Sequence, residues 1–228
     1  MTPLRKISLA AGLFYLLTFV SIPTLGLYAA VRGPNFIMGP GPDGPVFIGA
    51  ILEVIVALAG IGTAAALYSV VKRQGQARAI GFVAARTLEG TAIIAGAVTL
   101  LTIVTLRQAG VGAAGLVTGQ ALAAQYAWMF HLSQSLIPAL NAALLGSLLY
   151  QSRLVPRWLP ILGFVGGALL LAVWFAVLFG LTGQTAAPAS IAGLVIAAWE
   201  FSLGIYLTFW GFKASPITAG MGDTTAHQ

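Results

Sequence analysis

Six long apolar runs constrain this chain of 228 residues more than any other feature of its sequence. An α-helix needs ~20 apolar residues to cross the hydrocarbon core of a bilayer, and each run reaches that length. The runs predict transmembrane helices at about residues 7–31, 46–71, 80–106, 124–150, 161–181 and 189–212. Pro23 is expected to kink the first span, and Pro138 lies inside the fourth. We therefore predict an all-α, polytopic integral membrane bundle.

The composition excludes most soluble classes of protein. Only 7% of the residues are charged and 59% are hydrophobic, whereas soluble domains contain roughly 25% charged residues. A soluble fold of this composition would expose large apolar patches, but a lipid-facing surface should be apolar. The chain has no cysteine, which excludes disulfides, thiolate metal sites and cysteine nucleophiles. The lipid bilayer is thus the expected partner.

The apolar runs are joined by short loops or by glycine- and proline-rich loops, which predicts a single transmembrane domain over residues 1–213. Arg5 and Lys6 precede the first run as they would in a signal peptide. That run is longer than a signal core and no clear cleavage site follows, so we expect a retained helix. Residues 214–228 are polar and predict a disordered cytoplasmic tail.

The distribution of lysine and arginine between the loops predicts the orientation, because cytoplasmic loops carry an excess of both. Two of these residues lie in loops on the side away from the amino terminus, Arg32 and Arg107. Eight lie on the side that holds it: Arg5, Lys6, Lys72, Arg73, Arg78, Arg153, Arg157 and Lys213. The net charge of +6 therefore indicates membrane orientation rather than nucleic-acid binding. We expect a multi-pass protein of a bacterial inner (plasma) membrane with both termini in the cytoplasm.

Five ionisable side chains fall inside the predicted spans: Glu53, Arg86, Glu89, His131 and Glu200. A charge at the centre of a bilayer costs at least ~2.5 kcal/mol, so each should face the interior of the bundle. Small residues recur at helical spacing beside them, which is typical of close helix packing. Depth along the helices predicts two groups. Arg86, Glu89 and Glu200 lie near the middle, with Arg86 and Glu89 one turn apart, and Glu53 and His131 lie toward the outside.

These charges leave three functional interpretations open. Arg86, Glu89 and Glu200 could bind or move a small molecule or a proton, because two carboxylates around one arginine leave a surplus. They could instead fix helix packing in a structural or accessory subunit. A third possibility is a membrane enzyme acting on a lipid or quinone at a basic belt that includes Arg153 and Arg157. No catalytic motif supports an enzyme, and no metal or cofactor is predicted.

Several stretches resemble an uncharacterised bacterial membrane family called domain of unknown function 4386. They are residues 86–89 (Arg-Thr-Leu-Glu), the junction at residues 146–159, and the closing helix at residues 199–203 and 210–213. Residues 5–17 also fit, so the likeness covers nearly the whole chain. Pro160 departs from the family, which more often has a small residue there, and could alter the start of the fifth helix. The resemblance implies six spans, supports Arg86, Glu89 and Glu200 as a set, and implies no activity.

Overall fold

The computed structural model describes residues 1–221, and its regular secondary structure within that range is entirely helical. Six helical stretches are long and apolar enough to cross a membrane. The α-helices are α1 (Pro3–Leu17), α2 (Thr24–Leu27), α3 (Gly44–Val71), α4 (Gln76–Gln108), α5 (Leu116–His131), α6 (Ile137–Ser152), α7 (Trp158–Leu178) and α8 (Ala187–Phe209). α1 with α2 forms the first span, α5 with α6 forms the fourth, and the other helices are one span each. The predicted six-span, all-α fold is confirmed.

The first span is broken where proline predicted a kink. α1 ends at Leu17, a 3₁₀ turn covers Thr18–Ser21, and α2 follows Pro23. Proline lacks an N–H and its ring clashes with the carbonyl four residues earlier, so a regular helix cannot pass through it. The span also ends at Leu27 rather than near residue 31. The chain turns back there because Tyr28 and Val31 are buried in an apolar cluster at this end of the bundle.

The fourth span contains a wide helical turn of the π type at Leu132–Leu136, between α5 and α6. Pro138 lies two residues after this turn, and its missing N–H leaves the carbonyl of Gln134 without its usual helical donor. Turns of this kind are frequent at functional sites. α5 begins at Leu116, earlier than the predicted residue 124, because Leu116 packs against the apolar cluster that contains Ile37.

The first and sixth spans pack tightly near the termini. Arg5 donates a hydrogen bond to the Leu207 carbonyl at 2.9 Å, and the Ser8 hydroxyl donates to the same oxygen at 2.7 Å. The start of α1 and the end of α8 therefore lie at one end of the bundle, as an even number of spans requires. Pro160, which departs from the resembled family, occupies the first turn of α7, where proline is well tolerated.

The chain after α8 contacts the junction that follows α6. The Lys213 N–H donates to the Leu154 carbonyl at 2.8 Å, and the Ser215 hydroxyl donates to the Ser152 carbonyl at 2.6 Å. A 3₁₀ turn at Pro216–Thr218 follows, and Ile217 packs against the main core. These contacts attach the start of the predicted tail to the bundle, and its disorder stays a prediction. The rest of the predicted tail, residues 222–228, lies outside the described residues.

Candidate functional site

Arg86 forms an ion-paired cluster with the two carboxylates that the sequence grouped with it. Its guanidinium donates to Glu89 at 3.0 Å, one turn along α4, and also pairs with Glu200 on α8. Only 3% of the Arg86 side chain is exposed, against 10% for Glu89 and 17% for Glu200. The structure therefore brings together the predicted trio, and Glu200 is its most accessible member.

Asn141 on α6 completes this cluster and was missed in the sequence. Its amide nitrogen donates to the Glu89 carboxylate at 2.6 Å, and the residue is fully buried. A buried amide is costly without a hydrogen-bond partner, so an asparagine within an apolar span was an available signal. Glu89 consequently links the third span to the fourth, as Arg86 links the third to the sixth.

Aromatic rings cover the guanidinium of Arg86. Its central carbon lies 5.3 Å from the ring centroid of Tyr15 on α1 and 5.9 Å from that of Phe82. A cation over an aromatic face is stabilised by the ring quadrupole, most strongly where water is excluded. The Tyr15 ring is fully buried, so its contact with the guanidinium is shielded from water. Sequence spacing gave no sign of Tyr15, because it lies on a different helix.

The cluster borders a cavity of about 600 Å³ inside the bundle. All five predicted intramembrane ionisable residues contribute to its lining. Gln184 and Thr185, in the loop between α7 and α8, also line it, so the cavity extends toward the end of the bundle opposite the termini. The broken part of the first span and the π-type turn of the fourth form two of its walls. We call this feature the central cavity and the Arg86–Glu89–Glu200–Asn141 cluster its floor.

Glu53 and His131 both line the central cavity but make separate contacts. One Glu53 oxygen accepts a hydrogen bond from the Tyr126 hydroxyl at 3.5 Å, and the other has no partner among the described residues. His131 Nδ1 lies 3.3 Å from the Ser135 hydroxyl, and its ring stacks on Trp174 at 4.9 Å. The predicted Glu53–His131 group is therefore a shared cavity wall rather than a direct contact.

Two tyrosines beside Glu53 were not anticipated. Tyr28 follows the broken first span and Tyr126 lies on α5, and their rings meet edge to face at 5.6 Å. A side chain at Gly49 would collide with the Tyr28 ring, so glycine on α3 allows Tyr28 to approach about one turn before Glu53. Among the described residues, no three His, Asp or Glu side chains lie close enough together to hold a metal ion.

A family model described as a domain of unknown function (DUF4386) matches residues 10–211, which is nearly the whole chain. The protein belongs to the DUF4386 family. The match begins within α1 and ends just after α8, so the DUF4386 domain includes the central cavity and its floor. Neither the curated proteins nor the solved structures contain a significant match to the chain. This match confirms the resemblance to the DUF4386 family, whose description specifies no activity.

Proposed function

We propose that this integral membrane protein binds a small molecule or a proton in the central cavity, with Arg86, Glu89 and Glu200 as its binding floor. The observation that carries the proposal is that the ion-paired cluster borders open volume. A cluster that served packing alone would need no cavity beside it. Pockets of about this size are typical of small-molecule sites in proteins.

The charge balance of the floor supports a binding role. One arginine faces two carboxylates, so full ionisation of the floor leaves one negative charge in excess. An unbalanced buried charge is costly, and a bound proton or a ligand group that balances it would be favoured. Glu200 is the group that an entering ligand or proton would meet first, because it is more exposed than Arg86 and Glu89.

The competing function for the same residues is a structural role. It is favoured by the contacts of Arg86 and Glu89, which join the third, fourth and sixth spans. Both roles predict loss of stability when the floor is altered. Only the binding role predicts that filling the cavity abolishes ligand binding without altering the fold, so the decisive variant changes the cavity and leaves the floor intact.

Gly193 on α8 provides that variant, since a Cβ there would meet no heavy atom within 4 Å and the residue lines the cavity. Purified wild type, Gly193→Phe and the lipid-facing control Ile191→Phe would be screened by thermal shift against organic cations, organic anions and neutral amphiphiles. A binding protein is stabilised by its ligand in proportion to occupancy. We expect at least one class to raise the melting temperature of wild type and of Ile191→Phe but not of Gly193→Phe. A screen without any stabilising compound, or equal stabilisation of all three proteins, would contradict small-molecule binding in the cavity.

We further propose that the protein lies in a bacterial inner (plasma) membrane with both termini in the cytoplasm. The eight-to-two distribution of loop lysine and arginine supports this orientation. Fusions at the carboxyl terminus test it directly. We expect green fluorescent protein fused there to fluoresce and alkaline phosphatase fused there to be inactive, and the reverse pattern would show the opposite orientation.

A further inference from the structure

We infer that the central cavity takes an organic cation with an apolar body and that Glu53 binds its charge. The inference rests on the proposed function and names the ligand class and a second contact for that cavity. Four features support it: an unpaired carboxylate oxygen, an acidic lining, an apolar stretch of suitable length, and a mouth bordered by lipid-facing side chains.

Glu53 is a buried carboxylate without a cationic partner among the described residues. Only 6% of the residue is exposed, and one of its oxygens has no hydrogen-bond partner within residues 1–221. Arg32 lies on the same end of the bundle, but it is exposed and contacts the Tyr126 ring, 5.8 Å from its centroid. Glu53 lines the cavity, and a buried carboxylate that lacks a cationic partner attracts a cation that enters the same space.

The other ionisable groups of the lining increase the preference for a cation. Glu89 and Glu200 share the single guanidinium of Arg86, so the lining holds three carboxylates and one arginine. His131 also lines this space, and its buried Nε2 has no hydrogen-bond partner among the described residues. An organic anion would meet a net negative lining in a region of low dielectric, where repulsion between like charges is strong.

The space between Glu53 and the floor is apolar. A Cβ at Gly60 would lie 3.9 Å from the Arg86 side chain, which places Gly60 at the level of the floor. Glu53 is seven residues away on the same helix, or about 10 Å at ~1.5 Å per residue. Val56, Ile93 and Phe130 line the cavity, and Phe130 packs beside the Tyr126 ring at 6.1 Å. A ligand bound at Glu53 would therefore place an apolar body against these side chains.

The mouth of the cavity indicates that the ligand partitions into lipid. Ile22 and Leu25 of the broken first span and Leu194 of the sixth line the cavity and are 59%, 60% and 70% exposed. Exposed apolar side chains within spans face the acyl chains of the bilayer. An amphipathic cation that concentrates in the membrane would reach Glu53 between these two spans.

Tetraphenylphosphonium and tetraphenylborate provide a matched test, because they share a shape and differ in the sign of their charge. Equilibrium binding of each would be measured with wild type, Glu53→Gln, Glu53→Asp and Asp43→Asn in lipid nanodiscs. Asp43→Asn removes a carboxylate from the same end of the bundle, outside the cavity. Tetraphenylphosphonium has no hydrogen-bond donor, so its attraction to Glu53 is coulombic. We expect saturable binding of the cation by wild type, at least about tenfold weaker binding by Glu53→Gln, and less than about twofold change in Asp43→Asn. Glu53→Asp, which keeps the charge, should retain more affinity than Glu53→Gln.

Three results would overturn the inference: no saturable binding of tetraphenylphosphonium, equal binding of tetraphenylborate, or unchanged affinity in Glu53→Gln. If Glu53→Gln fails to fold, Gly193→Phe replaces it, and cation binding that survives the filled cavity would also overturn the inference. Failure of the inference is distinct from failure of the proposed function. An anion or neutral ligand found in the thermal-shift screen would leave the binding function standing and remove only the cation assignment.

Discussion

The two halves of the bundle use the same helices in different ways. Near the termini, α1 packs against the end of α8, and glycines bring backbones and rings into close contact; we call this the packed half. On the opposite side, the first and fourth spans are interrupted near Pro23 and Pro138, and the central cavity opens between them; we call this the cavity half. Uninterrupted helices with small residues close a bundle, whereas interrupted helices leave volume that polar groups can line.

The largest effect is expected at the floor, where the two halves meet. Replacing Arg86 by alanine leaves Glu89 and Glu200 buried without their cation, which typically costs about 3–5 kcal/mol. Arg78→Ala on the same helix is the control, because Arg78 is partly exposed and its side chain donates hydrogen bonds to Ser147 and Gln151. We expect Arg86→Ala to give the largest fall in melting temperature in detergent and Arg78→Ala a small one. Equal melting temperatures for the two variants would show that the ion pairs do not hold the third and sixth spans together.

Two glycines on neighbouring helices test the packing difference directly. A Cβ at Gly163 on α7 would lie 2.5 Å from the ring of Trp199, which is fully buried, whereas a Cβ at Gly193 would meet nothing within 4 Å. Gly163→Ala should therefore cost about 1–3 kcal/mol through overpacking. Gly193→Ala should be neutral or stabilise by up to about 1 kcal/mol, since alanine favours a helix over glycine. Thermal unfolding of both variants checks the pair, and a stable Gly163→Ala would mean that the packed half is looser than described.

Water in the cavity half can be measured because the chain has no cysteine of its own. Ala197→Cys lines the cavity, and Val98→Cys faces lipid, each ten residues from the end of its helix on the side opposite the termini. Thiolates form and react in water but not in hydrocarbon. We expect a membrane-impermeant, cationic methanethiosulfonate to modify Ala197→Cys at least about tenfold faster than Val98→Cys. Similar rates at the two positions would show that the cavity is closed to water.

Hydropathy predicted the spans because each crossing requires a fixed length of apolar chain. It misplaced the end of the first span, since Tyr28 and Val31 are apolar yet belong to a turn that folds back over the bundle. It also gave no sign of the contacts that Ser215 and Ile217 make, because their partners lie far away in the sequence.

Helical spacing and depth predicted the three charged residues of the floor, since Arg86 and Glu89 are neighbours on one helix and Glu200 lies at a similar depth. Depth fixes the height of a residue and leaves open which way its helix is turned about its axis. Glu53 and His131 could therefore be placed at one level without being in contact. Asn141 and Tyr15 reach the floor from other helices, so only the packing of the bundle reveals them.

The smallest predicted difference compares one hydroxyl in each half. The Ser8 hydroxyl is fully buried and donates to the Leu207 carbonyl at 2.7 Å, while Ser190 is exposed on the cavity lining. Removing a buried hydrogen bond costs about 0.5–1.5 kcal/mol, whereas removing a hydroxyl that faces water costs little. Ser8→Ala should therefore lower the melting temperature slightly and Ser190→Ala should leave it unchanged. If Ser190→Ala lowered the melting temperature more than Ser8→Ala, the cavity wall on α8 would be tightly packed as well. The two halves would then differ only around the floor.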